Sequence, residues 1–210
     1  MTLTDQAYET IEEQICTLAL PPGASLSEIK LSEQLGIGKT PVREALQRLK
    51  YDGLITITPR RGAMVTSIDI QSQLRVLEVR RVIEPLTISL ATTRATAPQR
   101  ESLARLTGAM RDAGDAAENI TLIRLDAEFN QLVVDAAQNE LARRTMASIN
   151  AHCRRFWFQY YKSVGDAATE AHLHADIADA IARNAPADAD RASHLLLDYF
   201  QRFTRKTLDL

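Results

Sequence analysis

A chain of 210 residues, 45% of them hydrophobic, with 25 Lys and Arg against 27 Asp and Glu, can bury a core in one large domain or two small ones. Its formal charge of -2 excludes a protein that coats nucleic acid through bulk attraction, and no apolar run approaches the roughly 20 residues needed to cross a bilayer. The opening MTLTDQAYETIEEQIC lacks the basic and apolar regions of a secretion signal, so a cytoplasmic protein with no membrane contact is expected, and Cys16 and Cys153 read as structural thiols.

Residues 4 to 18 place Tyr8, Ile11, Ile15 and Leu18 at helical spacing, and Pro21, Pro22 and Gly23 end that segment. Ser27 then opens a short helix that reaches Leu35, where Gly36 can take the left-handed conformation that closes it. The third helix is predicted to start with Thr40 as N-cap and Pro41 at the first helical position, and to run to Asp52. Val42, Ala45, Leu46 and Leu49 form its apolar stripe and leave Lys39, Arg43, Gln47 and Lys50 outside. After Gly53, Leu54 to Thr58 alternates apolar with β-branched polar residues, and Pro59, Arg60, Arg61 and Gly62 turn the chain into Ala63 to Thr66 as a hairpin.

Charge is segregated along this stretch. Residues 1 to 29 hold five acidic residues and no Lys or Arg, whereas residues 30 to 61 hold seven basic residues against Glu33, Glu44 and Asp52, a local excess suited to phosphates. Helix, helix, turn, helix and hairpin in this order is the layout of a winged helix-turn-helix, assigned here to residues 1–67.

From Ile68 the texture changes to long segments of helical period, broken at Ala97-Pro98, Gly114-Asp115, Asn139, Gly165-Asp166 and Asn184-Ala185-Pro186. Those breaks predict six helices over residues 69–95, 98–113, 118–138, 140–163, 167–184 and 187–208, with ends uncertain by about two to four residues. The expected fold is therefore mainly α, an N-terminal winged helix-turn-helix plus a C-terminal six-helix antiparallel bundle over residues 68–210.

The run PPGASLSEIKLSEQLGIGKTPVREALQRLKYDGLITITPRRGAMV resembles, almost position by position, the signature of the GntR family of bacterial regulators. The resemblance implies that Lys39, Thr40 and Arg43 meet operator DNA, with Arg43 suited to bidentate contact with guanine, and that Arg60, Arg61 and Gly62 form the wing tip. Lys30 and Arg48 are further candidates for backbone contacts. Three positions depart from the family pattern: Ile29 stands where FadR-like members often have Arg, Gly38 replaces Ser or Thr, and Lys39 replaces Arg, which exchanges a planar fork for a point charge. An operator unlike the commonest family consensus is expected.

Residues 69–208 are similar to the FCD-type effector domain of the FadR subfamily, through Glu78-Val79-Arg80, Ile83-Glu84-Pro85-Leu86, Leu125 to Asn130, and His174 followed by Ile177, Ala180 and Ile181. That likeness implies a divalent metal such as Zn or Ni on one Asp and three His, but the set is incomplete. Asp126 and His174 fit two positions, Asn130 stands at the second, Leu196 falls at the fourth, and His194 lies roughly 200° away round its helix. The alternative is that Asp126, Asn130 and His174 bind an effector directly, or form an ordinary buried polar group.

Arg80 matches an inward-pointing arginine of the family, implying a small carboxylate ligand, against a simple salt bridge to Glu84 four residues on. Arg155, within the aromatic run Arg154 to Tyr161, is a second candidate anion partner. His152 and His172 carry no assignment.

The expected function is a homodimeric transcriptional regulator, a repressor by default, that binds double-stranded operator DNA and is modulated by a small organic acid. The competing readings are a metal-dependent hydrolase on Asp126 and His174, for which no nucleophile or phosphate-binding motif appears, and a ligand-free architectural DNA binder.

Overall fold

The computed structural model describes residues 2–58 and 62–209 and divides into two compact units, Met1–Asp69 and Ile70–Leu210. The division falls two residues beyond the boundary expected from the change in sequence texture.

In the N-terminal unit, α1 (Leu3–Cys16) starts at a capping box in which Thr2 accepts from the Asp5 amide and Asp5 reaches back to Thr2. It buries Ala7, Ile11 and Ile15, and it stops short of the predicted end because Leu18 sits at φ +59, outside the helical region. Helix α2 (Glu28–Leu35) is capped by Ser27 and closed by Gly36 at φ +64, as the sequence signals require. Helix α3 (Lys39–Tyr51) packs Val42, Ala45, Leu46 and Leu49 against α1 and α2, the stripe anticipated from periodicity.

Its N-cap differs from the expectation. Gly38, not Thr40, occupies that position, without a side-chain hydrogen bond, and Thr40 lies inside the first turn. Pro41 remains within the turn whose amides lack intrahelical partners, so it costs nothing there.

The wing has a third strand that no periodicity marked. Strand β1 (Ser25–Leu26) pairs antiparallel with β3 (Gly62–Val65), which also pairs with β2 (Ile55–Thr58), giving the order β1-β3-β2. Leu26, Leu54, Ile55, Ala63 and Val65 turn inward to the helices.

The C-terminal unit consists of α4 (Ile70–Arg94), α5 (Ala97–Asp115), α6 (Asn119–Ala137), α7 (Glu140–Val164), α8 (Ala167–Ala182) and α9 (Pro186–Lys206), followed by a short 3-10 turn (Thr207–Asp209). Helix α5 packs on α8, α4 packs on α9 and α6, and α8 packs on α9, around Leu103, Met110, Ile177, Ile181 and Leu196. Helices α5 and α8 approach closely at Gly114, where a Cβ would fall 2.6 Å from the Ala171 Cβ. Arg100 joins helix ends by donating to the Ile181 and Thr92 carbonyls and to Asn184 Oδ1, which satisfies acceptors that the last turns of α8 and α4 leave open. Helix α4 carries Pro85 in its interior.

Candidate functional site

Two sites emerge, one in each unit. On the N-terminal unit, Lys39, Thr40 and Arg43 are all exposed on the first turns of α3. The Thr40 hydroxyl, not used for capping, is turned outward with them. Burying the apolar stripe of α3 turns Thr40 and Arg43 away from the core, and Lys39, at the first residue of the helix, flanks the stripe. Gly62 is exposed at φ +78, a conformation that glycine adopts without steric cost. Arg60 and Arg61, the predicted wing-tip cations, lie outside the described residues.

The two weaker candidates separate. Lys30 is exposed on α2, whereas Arg48 is committed within the unit. Its Nη1 lies 2.8 Å from Asp5 Oδ1, and its guanidinium sits 4.4 Å from the centre of the Tyr8 ring. Donation from the Thr2 amide and hydroxyl, with Arg48 beside it, holds the Asp5 carboxyl well below its ordinary range. The Tyr8 hydroxyl donates to Asp52 Oδ2 at 2.8 Å. Arg48 therefore braces α1 against α3.

Arg43 is also paired, but at the surface. Its Nε donates to Glu28 Oε2 at 3.0 Å and to Oε1 at 3.3 Å, and its Nη2 donates to Oε2 at 3.0 Å. Glu28 was not singled out by sequence reasoning.

The second site is a cavity among the helices of the C-terminal unit, with about 340 Å3 of empty space, its open mouth included. Arg80, Asp126, Asn130, Asn150, Arg154 and Glu170 supply its polar lining, and Leu122, Ile123, Trp157 and Phe200 supply apolar wall. Of the predicted effector residues, Arg80, Asp126 and Asn130 line it, and His174 stands behind Asp126 and Glu170.

Arg155 does not line the cavity. The neighbouring Arg154, about 100° round the helix, faces the cavity instead. The cavity therefore gives the expected role of Arg155 as an anion partner no support, and Arg154 stands in its place.

His174 is held between two carboxylates. Its Nδ1 lies 3.0 Å from Glu170 Oε1 and 3.1 Å from the Glu170 carbonyl oxygen. Its Nε2 faces Asp126 Oδ1 at 3.2 Å, near enough for an ion pair but off the hydrogen-bond direction. Arg154 Nη1 approaches the other Asp126 oxygen, Oδ2, at 3.3 Å, and Asn130 Nδ2 donates to the Asp126 carbonyl at 2.8 Å. Burial alone would push the imidazole pKa down, but Glu170 and Asp126 reverse this and raise it from 6.5 to about 9.

Arg80 is fully enclosed and paired with Glu84, the salt bridge that the spacing allowed, and it lies 4.4 Å from the centre of the Phe200 ring. Burial works against its charge, but Glu84 holds the guanidinium pKa above the ordinary value. Gln73 Nε2 lies 3.5 Å from Cys153 Sγ at the same end of the cavity.

One ligand atom from each of Asp126, Glu170 and His174 lies within 4.8 Å of the others, so three donors of the kind that hold cations are gathered. They do not fit the Zn or Ni that a nitrogen-rich site would take. There is one imidazole, its two nitrogens both face carboxylates, and Asp126 also faces Arg154. Leu196 contributes only carbon, and His194 is turned outward with Nδ1 2.9 Å from the Asp190 carbonyl. With His174 protonated, its charge and that of Arg154 balance Asp126 and Glu170, and the cluster is neutral without an added cation.

Glu170 and Arg154 are the members that sequence reasoning missed. The first was legible as an i, i+4 partner of His174, and the second as the neighbour of the arginine that was chosen.

Residues 3–65 match the family described as bacterial regulatory proteins of the gntR family, and residues 75–199 match the FCD domain. The HTH-type transcriptional repressor RspR of Escherichia coli is 26% identical over 202 residues, which cover 96% of this chain and 87% of that protein. The Nta operon transcriptional regulator of Aminobacter aminovorans is 29% identical over 154 residues, 73% of this chain and 72% of that protein. Among solved structures, E. coli McbR/YncC has the same fold, with a TM-score of 0.81 at 18% identity over 99% of both chains. With these two matched segments, the chain belongs to the gntR family of bacterial regulatory proteins, among those with an FCD domain, and it is a DNA-binding transcriptional regulator, not an enzyme.

Proposed function

We propose that this regulator is a homodimeric, cytoplasmic repressor that reads its operator with Lys39, Thr40 and Arg43 and releases it when a small organic acid enters the helical cavity. The DNA part is carried by the outward display of those three side chains on the first turns of α3, beside the exposed Gly62 of the wing. Lys39 and Thr40 suit phosphate contacts, and Arg43 has the geometry for guanine O6 and N7 in the major groove. Lys30, exposed on α2, adds a further cation for the DNA backbone. Arg43→Ala should cost about 1 to 3 kcal/mol of specific binding with fold and assembly intact, measured by titration against a duplex the protein itself enriches from random DNA. Unchanged binding refutes the assignment.

The effector part rests on the cavity lining. Arg80 and Arg154 bring two guanidinium groups to it, and Asn150, 5% exposed, has a side-chain oxygen with no hydrogen-bond partner. A carboxylate that also carries a hydroxyl or amine donor would exchange for Asp126 on Arg154 and donate to Asn150 Oδ1, a buried acceptor that no protein group satisfies. A thermal-shift screen of hydroxy and amino acids, with Arg154→Ala and Asn150→Ala beside the wild type, tests this class. Stabilisation by acids that survives both substitutions would reject it.

The dimer is supported by an unpartnered apolar stripe on α4. Val79, Val82 and Leu86 are exposed at spacings of three and four residues, with Leu195 exposed on α9, the helix packed beside α4. Self-association of this face would pair two winged modules for a pseudo-palindromic operator. Val82→Asp, 69% exposed in the wild type and so harmless to the fold, should yield a monomer in light scattering.

A further inference from the structure

Glu28 and Arg43 meet across the N-terminal unit in a contact whose direction matters more than its strength. Glu28 is the first residue of α2, directly after the Ser27 cap, where the unpaired amides of the helix start favour a carboxylate. Arg43 projects from α3 and is 60% exposed, so the pair is open to water and salt and does little to hold the fold.

A guanidinium can donate in pairs along two edges. The side edge combines Nε with the near hydrogen of one Nη, and the end edge combines the two Nη atoms. All three contacts in the structure fall on the side edge, Nε and Nη2 against the two Glu28 oxygens. The end edge takes no part in these contacts, and on this largely exposed side chain it is the edge left to span guanine O6 and N7.

We infer that Glu28 is a positioning residue for operator recognition. It selects the edge of Arg43 that faces the duplex, and its charge offsets that of Arg43, so that Arg43 reads a base instead of anchoring to phosphate. The inference rests on the assignment of Arg43 to the major groove.

Two effects of opposite sign follow. Without the Glu28 carboxylate, Arg43 samples many rotamers and reaches phosphates, which lowers discrimination among sequences. The interface also gains one net positive charge, which raises affinity for any duplex and steepens its salt dependence. A residue that merely supported the fold would lower binding to every duplex alike.

The test uses the full chain and the duplex it enriches from random DNA, compared with a scrambled duplex of equal length. Glu28→Gln is expected to reduce the selected-to-scrambled affinity ratio about tenfold, while scrambled binding rises severalfold with a steeper salt slope. Glu28→Asp keeps the charge but shortens the reach by one methylene, and it should lose the ratio without the rise. The double variant Glu28→Gln/Arg43→Ala should be no less selective than Arg43→Ala alone, because the two side chains act as one unit.

If Glu28→Gln and Glu28→Asp both keep the wild-type ratio while Arg43→Ala loses it, the positioning role is wrong and the groove assignment stands. If Arg43→Ala also keeps the ratio, both fall together. Loss of binding to both duplexes in the folded Glu28 variants equally overturns the inference.

Discussion

His174 stands between Glu170 and Asp126 with one ring nitrogen toward each carboxylate, 3.0 Å from Glu170 Oε1 and 3.2 Å from Asp126 Oδ1. Burial opposes the charged imidazole, as does Arg80, but the two carboxylates prevail and raise its pKa to about 9. The folded chain therefore binds this proton more tightly than the unfolded chain. Its contribution to stability is complete below about pH 6.5, the unfolded value, and is lost as pH rises through about 9. Trp157 is the single tryptophan and lies buried in the same unit, so its fluorescence follows that unit alone. Melting should weaken across this window, and His174→Gln should flatten the decline. A variant with the wild-type slope would contradict the assignment.

A second prediction concerns metal. Chelators should leave the melting temperature unchanged, and added Zn or Ni should stabilise the wild type little, because the single imidazole is already engaged by carboxylates. Asn130 is one turn from Asp126 and on the same helix face. Asn130→His supplies a second nitrogen donor there, and zinc should then raise the melting temperature. Strong stabilisation of the wild type by low zinc would show that the cluster opens more readily than its ion pairs suggest.

Gly114→Ala tests the contact between α5 and α8. The new Cβ would meet the Ala171 Cβ at 2.6 Å, so the helices must move apart, at a cost of about 1 to 3 kcal/mol. Denaturation followed through Trp157 should register this, and Gly108→Ala, where nothing lies within 4 Å of the added carbon, serves as the control.

Arg48→Ala separates bracing from DNA contact. The loss of the Tyr8 stacking alone should cost the N-terminal unit about 0.5 to 1 kcal/mol. The selected-to-scrambled affinity ratio should stay at the wild-type value. A drop in that ratio without a change in melting would return Arg48 to the DNA-contacting set.

The elements with long, regular periodicity were legible in the sequence, and the ends of all six C-terminal helices fall within two residues of their predicted positions. Strand β1 was not, because two residues carry no pattern and only pairing with β3 makes them a strand. The cap of α3 was misplaced because Thr40 offers a hydroxyl and Gly38 offers nothing, yet backbone geometry at Gly38 suffices. At the cavity, Asp126, Asn130 and Arg80 were reached through the resemblance to the FCD-type domain, but nothing in the sequence could tell Arg154 from Arg155, since only the rotation of α7 decides which one faces the cavity. Asn150 gave no signal at all: its importance comes from what surrounds its oxygen.

The chain has two cysteines, and the fold places one in each unit, Cys16 in α1 and Cys153 in α7, both shielded from solvent. A thiol reagent can reach Cys16 only when its unit opens, and Cys153 only through the cavity that it lines or by opening of the C-terminal unit. Labelling kinetics followed by peptide mass would therefore report access in the two units independently in the native protein. Operator DNA should slow the Cys16 clock and a bound effector the Cys153 clock, each by a factor set by occupancy.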